Sequence, residues 1–256
     1  FKLSKYPQGK ITMDIFDQVS LPMPALKEGE FLVKQTHMSL DPAMRTWLQE
    51  RDDSYMPPVQ IGEVMRSYGV GEVVESLNPR FPAGSRVVGV TGWSEYVLGN
   101  EEMTIIDPSV SAEAVLSIFY ITGLTAYAGL MKIGMPKKGE TLVVTGAAGS
   151  VGSLVGQLAK AEGLRVVGIA GSDEKCKWLV DELGFDAAIN YKSDNLEAKL
   201  SAAAPNGVDI FYENTGGPIQ EIIFSQLNRF GRVIVCGVIA DYDNAIPAKG
   251  PSWVDI

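Results

Sequence analysis

The chain has 256 residues, of which 46% are apolar and 21% are charged, and its formal net charge is −9 at pH 7. That composition is typical of a globular protein of one large domain or two ordinary ones. The negative charge and the lack of a long Lys/Arg block argue against a nucleic-acid partner. No apolar run is long enough to span a membrane. Two cysteines are too few for a disulfide framework, which favours a reducing, cytoplasmic setting.

The first part of the chain predicts a twisted, largely antiparallel β domain, because short alternating runs are separated by glycines and prolines. The predicted strands are Phe31–Met38, Ser67–Glu75, Arg86–Val90 and Ser94–Leu98. The single histidine, His37, lies in the first of them and is interpreted as a strand residue. One histidine and two distant cysteines cannot build a usual structural or catalytic zinc site, so no metal is expected.

After about residue 110 the pattern changes to alternating helices and strands. A long helical stretch, Ser111–Lys132, is predicted to break near Gly123. The predicted strands that follow are 142–145, 164–169, 187–191, 208–213 and 232–236, and the predicted helices are 151–162, 173–183, 194–203 and 219–227. Continuous apolar strands that alternate with helices predict a parallel sheet covered on both faces. We expect a β domain over residues 1–112 and a dinucleotide-binding domain over residues 113–256.

Three glycines, Gly146, Gly149 and Gly152, follow the first of these strands at every third position. A strand, a tight glycine turn and a helix N-terminus are the arrangement that holds a dinucleotide pyrophosphate. The alternative is that small residues here only let the helix pack closely on the sheet. The context of alternating strands and helices favours the binding role.

The end of the second strand predicts NADP rather than NAD. An NAD site carries an Asp or Glu there to bind the ribose 2′-hydroxyl, whereas this chain has Ala170, Gly171 and Ser172. Small residues leave room for a 2′-phosphate, and Lys175 is close enough in sequence to pair with it. Alternatively, Ser172 only caps the next helix and Lys175 is a solvated helix residue.

Glycine or small polar residues also end the later strands. Asn214-Thr215-Gly216-Gly217 follows the fourth strand and Gly237 follows the fifth. Ligands of open parallel sheets bind at these carboxyl ends. The recurrence of such residues therefore indicates one site along this edge of the sheet.

Several stretches together resemble the zinc-independent medium-chain dehydrogenase/reductase superfamily, and within it the prostaglandin reductase, leukotriene B4 dehydrogenase and alkenal double-bond reductase family. The stretches that carry the resemblance are Met38–Arg45, Gly123–Tyr127, Gly146–Gly152, Gly168–Lys175, Leu183–Asp186, Asn190–Lys192, Tyr212–Gly217 and Cys236–Ile239. They cover nearly the whole chain in the expected order. The resemblance implies a GroES-like β domain followed by a Rossmann doubly wound parallel sheet, and reduction of activated C=C bonds with NADPH.

The resemblance also implies which residues contact NADP(H). They are Gly149, Ser150, Val151 and Gly152 at the pyrophosphate, Gly171, Ser172, Lys175 and Tyr191 at the adenosine 2′-phosphate, and Asn214, Cys236, Gly237, Val238, Ile239 and Tyr242 along the nicotinamide half. Plainer alternatives exist for three of them. Tyr191 could only cap a short strand, Asn214 could serve only its turn, and Cys236 could be a small buried residue without chemistry.

Tyr242 is the candidate for the chemistry, because the family has a tyrosine at this point near the nicotinamide ribose and the substrate carbonyl. Hydride arriving at the β-carbon of an enone moves negative charge onto the carbonyl oxygen, which a phenol O–H would stabilise. Alternatively, Tyr242 only orients the ribose. Met44, Trp47 and Tyr55 are candidate substrate contacts between the two domains, or simply core residues.

Three features depart from the family pattern. The chain stops at Ile256, whereas family members continue, so it is expected to be truncated at the C-terminus. The missing part normally completes the sheet and the dimer formed through the Rossmann domain, so either the chain is a fragment or its oligomer and pocket differ. The segment Ala240–Asp243 is more acidic than expected beside NADPH, and Asp41 replaces the metal-binding cysteine of zinc-dependent relatives.

The expected activity is therefore NADPH-dependent reduction of α,β-unsaturated ketones or aldehydes, with a small enone or enal as the partner and a homodimer formed through the Rossmann domain. An NADPH-dependent quinone reductase of the same superfamily is the enzymatic alternative. A protein that binds NADPH without catalysis is the other.

Overall fold

The structure is a computed structural model that describes residues 1–50 and 56–244. By their internal contacts the residues form two compact units, Phe1–Tyr120 and Ile121–Ile256. The expected domain boundary between residues 112 and 113 stays a prediction. Each unit is described by itself.

The first unit contains antiparallel β structure. The strands of this unit are β1 (Lys2–Leu3), β2 (Phe16–Asp17), β3 (Phe31–Met38), β4 (Tyr68–Ser76), β5 (Arg86–Val90), β6 (Tyr96–Leu98) and β7 (Thr104–Ile105). β1 pairs with β2, and the other five form one sheet in the order β6-β3-β4-β5-β7. Phe31 and Phe81 stack in its core with ring centroids 4.3 Å apart. The antiparallel β domain is confirmed, and His37 lies exposed in β3.

In the described part of the second unit, up to residue 244, the strands form a five-stranded parallel sheet in the order β10-β9-β8-β11-β12. Its strands are β8 (Thr141–Val144), β9 (Arg165–Ala170), β10 (Ala187–Asn190), β11 (Val208–Glu213) and β12 (Leu227–Val235). The helices of the chain are α1 (Ala112–Ser117) in the first unit, and α2 (Ile121–Tyr127), α3 (Ser150–Ala161), α4 (Asp173–Asp181), α5 (Leu196–Ala203) and α6 (Ile219–Phe224) in the second.

Helices cover both faces of this sheet, which confirms the doubly wound fold. One core contains Val144 and Val166 of the strands with Val155 of α3 and Leu179 of α4. The opposite core contains strand residues with Leu200 of α5 and Ile223 of α6. The strands are continuous apolar runs because both of their faces are buried.

The long helix predicted over Ser111–Lys132 is wrong. The chain forms α1, then α2, then π-helical turns over Ala128–Gly134, and the interruption falls between Ser117 and Ile121 instead of at Gly123. Ala112 and Val115 of α1 belong to the core of the first unit, together with Val70 and Val88. Helix α1 therefore packs in the first unit, whereas α2 belongs to the second unit.

The predicted helix 219–227 and strand 232–236 also need correction. The helix ends at Phe224, and β12 begins at Leu227. Leu227 pairs with Val208 of β11, but the next pair is Arg232 with Ile210, so residues 228–231 form a bulge. Phe230 lies in this bulge with a φ of 66°. Residues 228–231, Asn-Arg-Phe-Gly, interrupt the continuous apolar run by which strands of this sheet were predicted, so the start of β12 was missed.

Among residues 1–50 and 56–244, no helix has the length and apolar character needed to cross a membrane.

Candidate dinucleotide-binding site

The glycine turn, residues 146–152, connects β8 to α3 at the carboxyl end of the sheet. Gly146 has a φ of 57°, a conformation that favours glycine. A Cβ on Gly152 would lie 2.4 Å from the carbonyl oxygen of Gly146 and 2.8 Å from Cα of Ala147. Only a residue without a side chain fits at 152, because both neighbours are backbone. Gly146 and Ala147 thus lie directly against the first turn of α3, which contains Gly152.

The N-terminus of α3 is open to a ligand. Gly149 is the N-cap, and no side chain caps the helix. Ser153 donates its N–H to the Gly149 carbonyl at 2.9 Å, so the preceding N–H groups lie at positions that lack intrahelical acceptors. These groups belong to Ser150, Val151 and Gly152, which the sequence places at the pyrophosphate. Such N–H groups and the positive end of the helix dipole favour a phosphate group.

The tip of β9 carries no acidic side chain, and Tyr191 lies against it. A Cβ on Gly171 would lie 3.2 Å from Cε1 of Tyr191, so the two predicted residues are neighbours. Tyr191 is exposed, and the Lys192 ammonium lies 5.8 Å from the centre of its ring. Lys192 was not among the predicted site residues. It adds positive charge where the 2′-phosphate is expected.

Ser172 caps α4, as the alternative interpretation states, because its hydroxyl accepts the N–H of Lys175 at 3.3 Å. Asp173 accepts a hydrogen bond from the Asn190 amide at 2.8 Å. In the described ranges the exposed ammonium of Lys175 makes no ion pair. The cap explains Ser172 and leaves the predicted roles of Ser172 and Lys175 toward NADP(H) as predictions.

Asn214 is tied to the glycine turn by two hydrogen bonds. Its backbone N–H donates to Thr145 Oγ1 at 2.9 Å, and its side-chain Nδ2 donates to the Thr145 carbonyl at 2.7 Å. These contacts are those of the turn alternative. A role of Asn214 along the nicotinamide half stays a prediction.

A buried carboxylate, which the sequence analysis did not select, lies beside Asn214. Glu213 and Thr145 have no exposed surface. Glu213 Oε1 accepts hydrogen bonds from Thr145 Oγ1 at 2.5 Å, from the Thr215 N–H at 2.6 Å and from Thr215 Oγ1 at 3.2 Å. The position of Glu213 at the end of an apolar strand, before Asn-Thr-Gly-Gly, was the available signal.

The segment from Cys236 to Tyr242 lies next to the β11 tip. The N–H groups of Cys236 and Gly237 donate to the Glu213 carbonyl at 2.9 and 3.1 Å. A Cβ on Gly237 would lie 3.0 Å from the Tyr242 hydroxyl oxygen. Tyr242 follows a 3-10 turn over Ile239–Asp241 and is half-buried. The structure therefore brings the β11 tip, Gly237 and Tyr242 together.

Cys236 is exposed and its thiol is free. Desolvation raises the pKa of this thiol most, and the nearby Glu213 carboxylate raises it further, against a hydrogen bond with Tyr212 that lowers it. A thiol with a raised pKa is mostly protonated near neutral pH. Cys236 is therefore poorly suited to be a nucleophile.

The predicted substrate contacts lie in the first unit. Met44 and Trp47 are 6% and 1% exposed and pack in a core with Leu48 and Met65. Their substrate role stays a prediction, and their burial favours the alternative that they are core residues. Tyr55 lies outside the described residues.

Within residues 1–50 and 56–244, no group of three or more His, Cys, Asp or Glu side chains could hold a metal ion. Asp41 precedes a 3-10 turn over Pro42–Trp47.

Comparison with protein families gives two matches along the chain. Residues 1–106 match a family described as the N-terminal domain of oxidoreductase, and residues 150–250 match one described as zinc-binding dehydrogenase. A putative NADP-dependent oxidoreductase of Bacillus subtilis (strain 168) is 45% identical over 245 residues, which cover 94% of this chain and 72% of the relative. A 2-alkenal reductase (NADP(+)-dependent) of Nicotiana tabacum is 40% identical over 219 residues, 84% of this chain and 64% of the relative.

The chain also matches solved structures. The crystal structure of CurA from Vibrio vulnificus in complex with NADPH is 38% identical, with a TM-score of 0.93. The match covers 98% of this chain and 75% of that chain. The chain thus spans between 64% and 75% of the length of these three proteins.

An antiparallel β unit followed by a doubly wound sheet with a glycine turn has the architecture of a dinucleotide-binding protein with two units. The comparisons narrow this class. The chain belongs to the zinc-independent medium-chain dehydrogenase/reductase family. The family resemblance expected from the sequence is confirmed.

Proposed function

We propose that this protein uses NADPH to reduce the C=C bond of α,β-unsaturated ketones or aldehydes. The observation that carries the proposal is the glycine turn with an uncapped α3 beside a β9 tip that lacks an acidic residue. The names of the relatives agree with it, since one is an NADP-dependent oxidoreductase and another a 2-alkenal reductase.

The residues present fit a dinucleotide. Gly152 lets the start of α3 lie directly against the Gly146 carbonyl, and the N–H groups of the first turn of α3 face no capping side chain. NADPH supplies a hydride when it is bound. The turn and the N-terminus of α3 bind the pyrophosphate, while Lys175 pairs with the 2′-phosphate beside Tyr191. A charge-assisted hydrogen bond of this kind contributes about 1.5–3 kcal/mol.

Tyr242 supplies the stabilisation of the developing charge. Its phenol O–H donates a hydrogen bond to the carbonyl oxygen of the substrate as the enolate forms, and the α-carbon takes its proton from water. Removing one such donor raises a barrier by about 3 kcal/mol. Gly237 permits the Tyr242 hydroxyl to approach the backbone at the end of β12. This closeness supports a fixed position for the phenol.

A homodimer through the Rossmann domain and a cytoplasmic location belong to the same proposal. Both cysteines are free thiols, as in proteins of reducing compartments. Analytical ultracentrifugation of the purified protein tests the homodimer. A molecular mass of the monomer alone would contradict it.

The activity is tested by mixing the protein with NADPH and a series of simple enones and enals, and following the loss of absorbance of the reduced nicotinamide. Turnover that exceeds the rate with quinones supports the proposal. Thermal stabilisation by NADPH without turnover of any enone or enal would contradict it and favour a non-catalytic NADPH-binding protein. Faster turnover of quinones would favour the quinone reductase alternative.

A further inference from the structure

Glu213 is a buried carboxylate that the proposed chemistry does not use. It lies at the end of β11 with no exposed surface, and its Oε2 has no hydrogen-bond partner among the described residues. Burying a carboxylate is costly unless its environment compensates. The side-chain hydrogen bonds of Glu213 to Thr145 and Thr215 converge on the other oxygen, Oε1, which accepts once from Thr145 and twice from Thr215.

These contacts join two separate turns of the sheet edge. Thr145 immediately precedes the glycine turn, and Thr215 belongs to the turn after β11. The Asn214 N–H donates to Thr145 Oγ1, so this hydroxyl has to direct its own proton toward Glu213. The Thr145 hydroxyl is therefore fixed as both an acceptor and a donor. One carboxylate oxygen holds the two turns in register.

The main chain extends this register to the segment that carries Tyr242. The Glu213 carbonyl accepts the N–H groups of Cys236 and Gly237. The Ala240 N–H donates to the Thr215 carbonyl at 2.9 Å. A shift of the Glu213–Thr215 turn would therefore be passed on to the residues around Tyr242.

We infer that Glu213 is a positioning residue for the nicotinamide half of NADPH, acting through Thr145 and Thr215. The inference rests on the proposed use of NADPH. Its carboxylate holds the turn after β11 against the glycine turn, and so fixes the surface along which the nicotinamide and its ribose lie. The adenosine half lies at the tip of β9, which none of the Glu213 hydrogen bonds described above reaches, and it is not positioned by Glu213.

The test compares two ligands in variants of both partners. Glu213→Ala and Thr145→Val remove the acceptor and the hydroxyl, respectively. Both are expected to raise the dissociation constant of NADPH about tenfold, which corresponds to about 1.4 kcal/mol. The dissociation constant of adenosine 2′,5′-bisphosphate, which carries only the adenosine half, is expected to stay unchanged. A purely structural role would weaken both ligands together.

Conservative variants and a distant carboxylate are the controls. Glu213→Gln keeps an acceptor oxygen and Thr145→Ser keeps the hydroxyl, so both are expected to retain NADPH affinity. Asp209 lies at the other end of β11, where it accepts from the Thr141 N–H and from Asn228, each at 2.8 Å. Asp209→Ala is expected to lower the melting temperature without a selective loss of NADPH. Equal losses in the conservative and disruptive variants, or a selective loss in Asp209→Ala, would overturn the inference.

Wild-type binding separates the two levels of the argument. A wild-type protein that does not bind NADPH contradicts the proposed function, and the role of Glu213 with it. A wild-type protein that binds NADPH, with Glu213→Ala and Thr145→Val binding it equally well, contradicts only the role of Glu213.

Discussion

Replacing Gly152 by alanine tests the glycine turn directly. The added Cβ would lie 2.4 Å from the Gly146 carbonyl oxygen, whereas ordinary contacts of this kind begin near 3.4 Å. The turn and the start of α3 must therefore separate by about 1 Å, because neither neighbour is a side chain that can rotate away. An N–H···O bond lengthened by about 1 Å leaves the range of roughly 2.7–3.2 Å in which it is effective.

The loss of NADPH affinity in Gly152→Ala can be estimated from the hydrogen bonds that the pyrophosphate would make with the N–H groups of α3. A hydrogen bond to a charged group contributes about 1.5–3 kcal/mol. Gly152→Ala is therefore expected to weaken NADPH binding roughly tenfold to a hundredfold, if one such bond is lost. Titration calorimetry measures the affinity, and circular dichroism confirms that the variant is folded. Alanine stabilises a helix by up to about 1 kcal/mol relative to glycine. Poor helix formation would therefore not explain a loss of NADPH affinity.

Gly149→Ala is the matched control within the same turn. Gly149 has a φ of −83°, which alanine adopts freely, and its added Cβ would lie 3.1 Å from the same carbonyl oxygen. Movement of a few tenths of an ångström relieves that contact. We expect a change in affinity of about threefold or less, which corresponds to about 0.7 kcal/mol. The steric reasoning is refuted if Gly152→Ala binds NADPH like the wild type, or if both variants lose affinity equally.

Three further predictions concern the proposed roles and stability. Lys175→Ala is expected to weaken NADPH but not NADH, because only NADPH carries the 2′-phosphate; an equal effect in titrations of both contradicts that role. Tyr242→Phe is expected to lower kcat about a hundredfold for an enone with little change in KM, and steady-state rates that match the wild type exclude the phenol from the chemistry. Glu140, only 17% exposed at its side chain, forms a bidentate pair with Arg232, whose hydrogen bond chiefly holds the pKa of Glu140 below its usual value. Its contribution, about 1–2 kcal/mol, is thus present above the usual carboxyl pKa and lost as pH falls through the lowered one. Urea unfolding should show Glu140→Gln destabilised at pH 7, with the gap to the wild type shrinking as the pH falls below the usual carboxyl pKa, and an unchanged gap would contradict the pair's role.

Much of the second unit could be predicted because its signals are local. Apolar strands such as Thr141–Val144 and Arg165–Ala170 are buried on both faces, so composition alone marks them. Gly146, at a positive φ, follows the first of these strands. The path of α1 could not be predicted in this way, since it depends on contacts with Val70 and Val88 that are distant in sequence.

The site was predictable where backbone geometry requires one residue type. Gly152 has to be glycine because of the neighbouring Gly146 carbonyl. The spacing of the three glycines after the strand makes this requirement visible in the sequence. The Glu213–Thr145 pair is different. The two residues are 68 positions apart, and either could have faced solvent at a strand end. Only the pairing of β8 with β11 brings them together.

The bulge in β12 limits how much of this strand can pair regularly with another strand. β12 is the outer strand of its sheet among the described residues, and outer strands can recruit further strands through their exposed peptide groups. Phe230, at a positive φ and 83% exposed, distorts the first part of that rim. The strand keeps a regular register only from Arg232 to Val235. A strand added along the edge of β12 that the described residues leave unpaired could therefore form a regular ladder over four residues only.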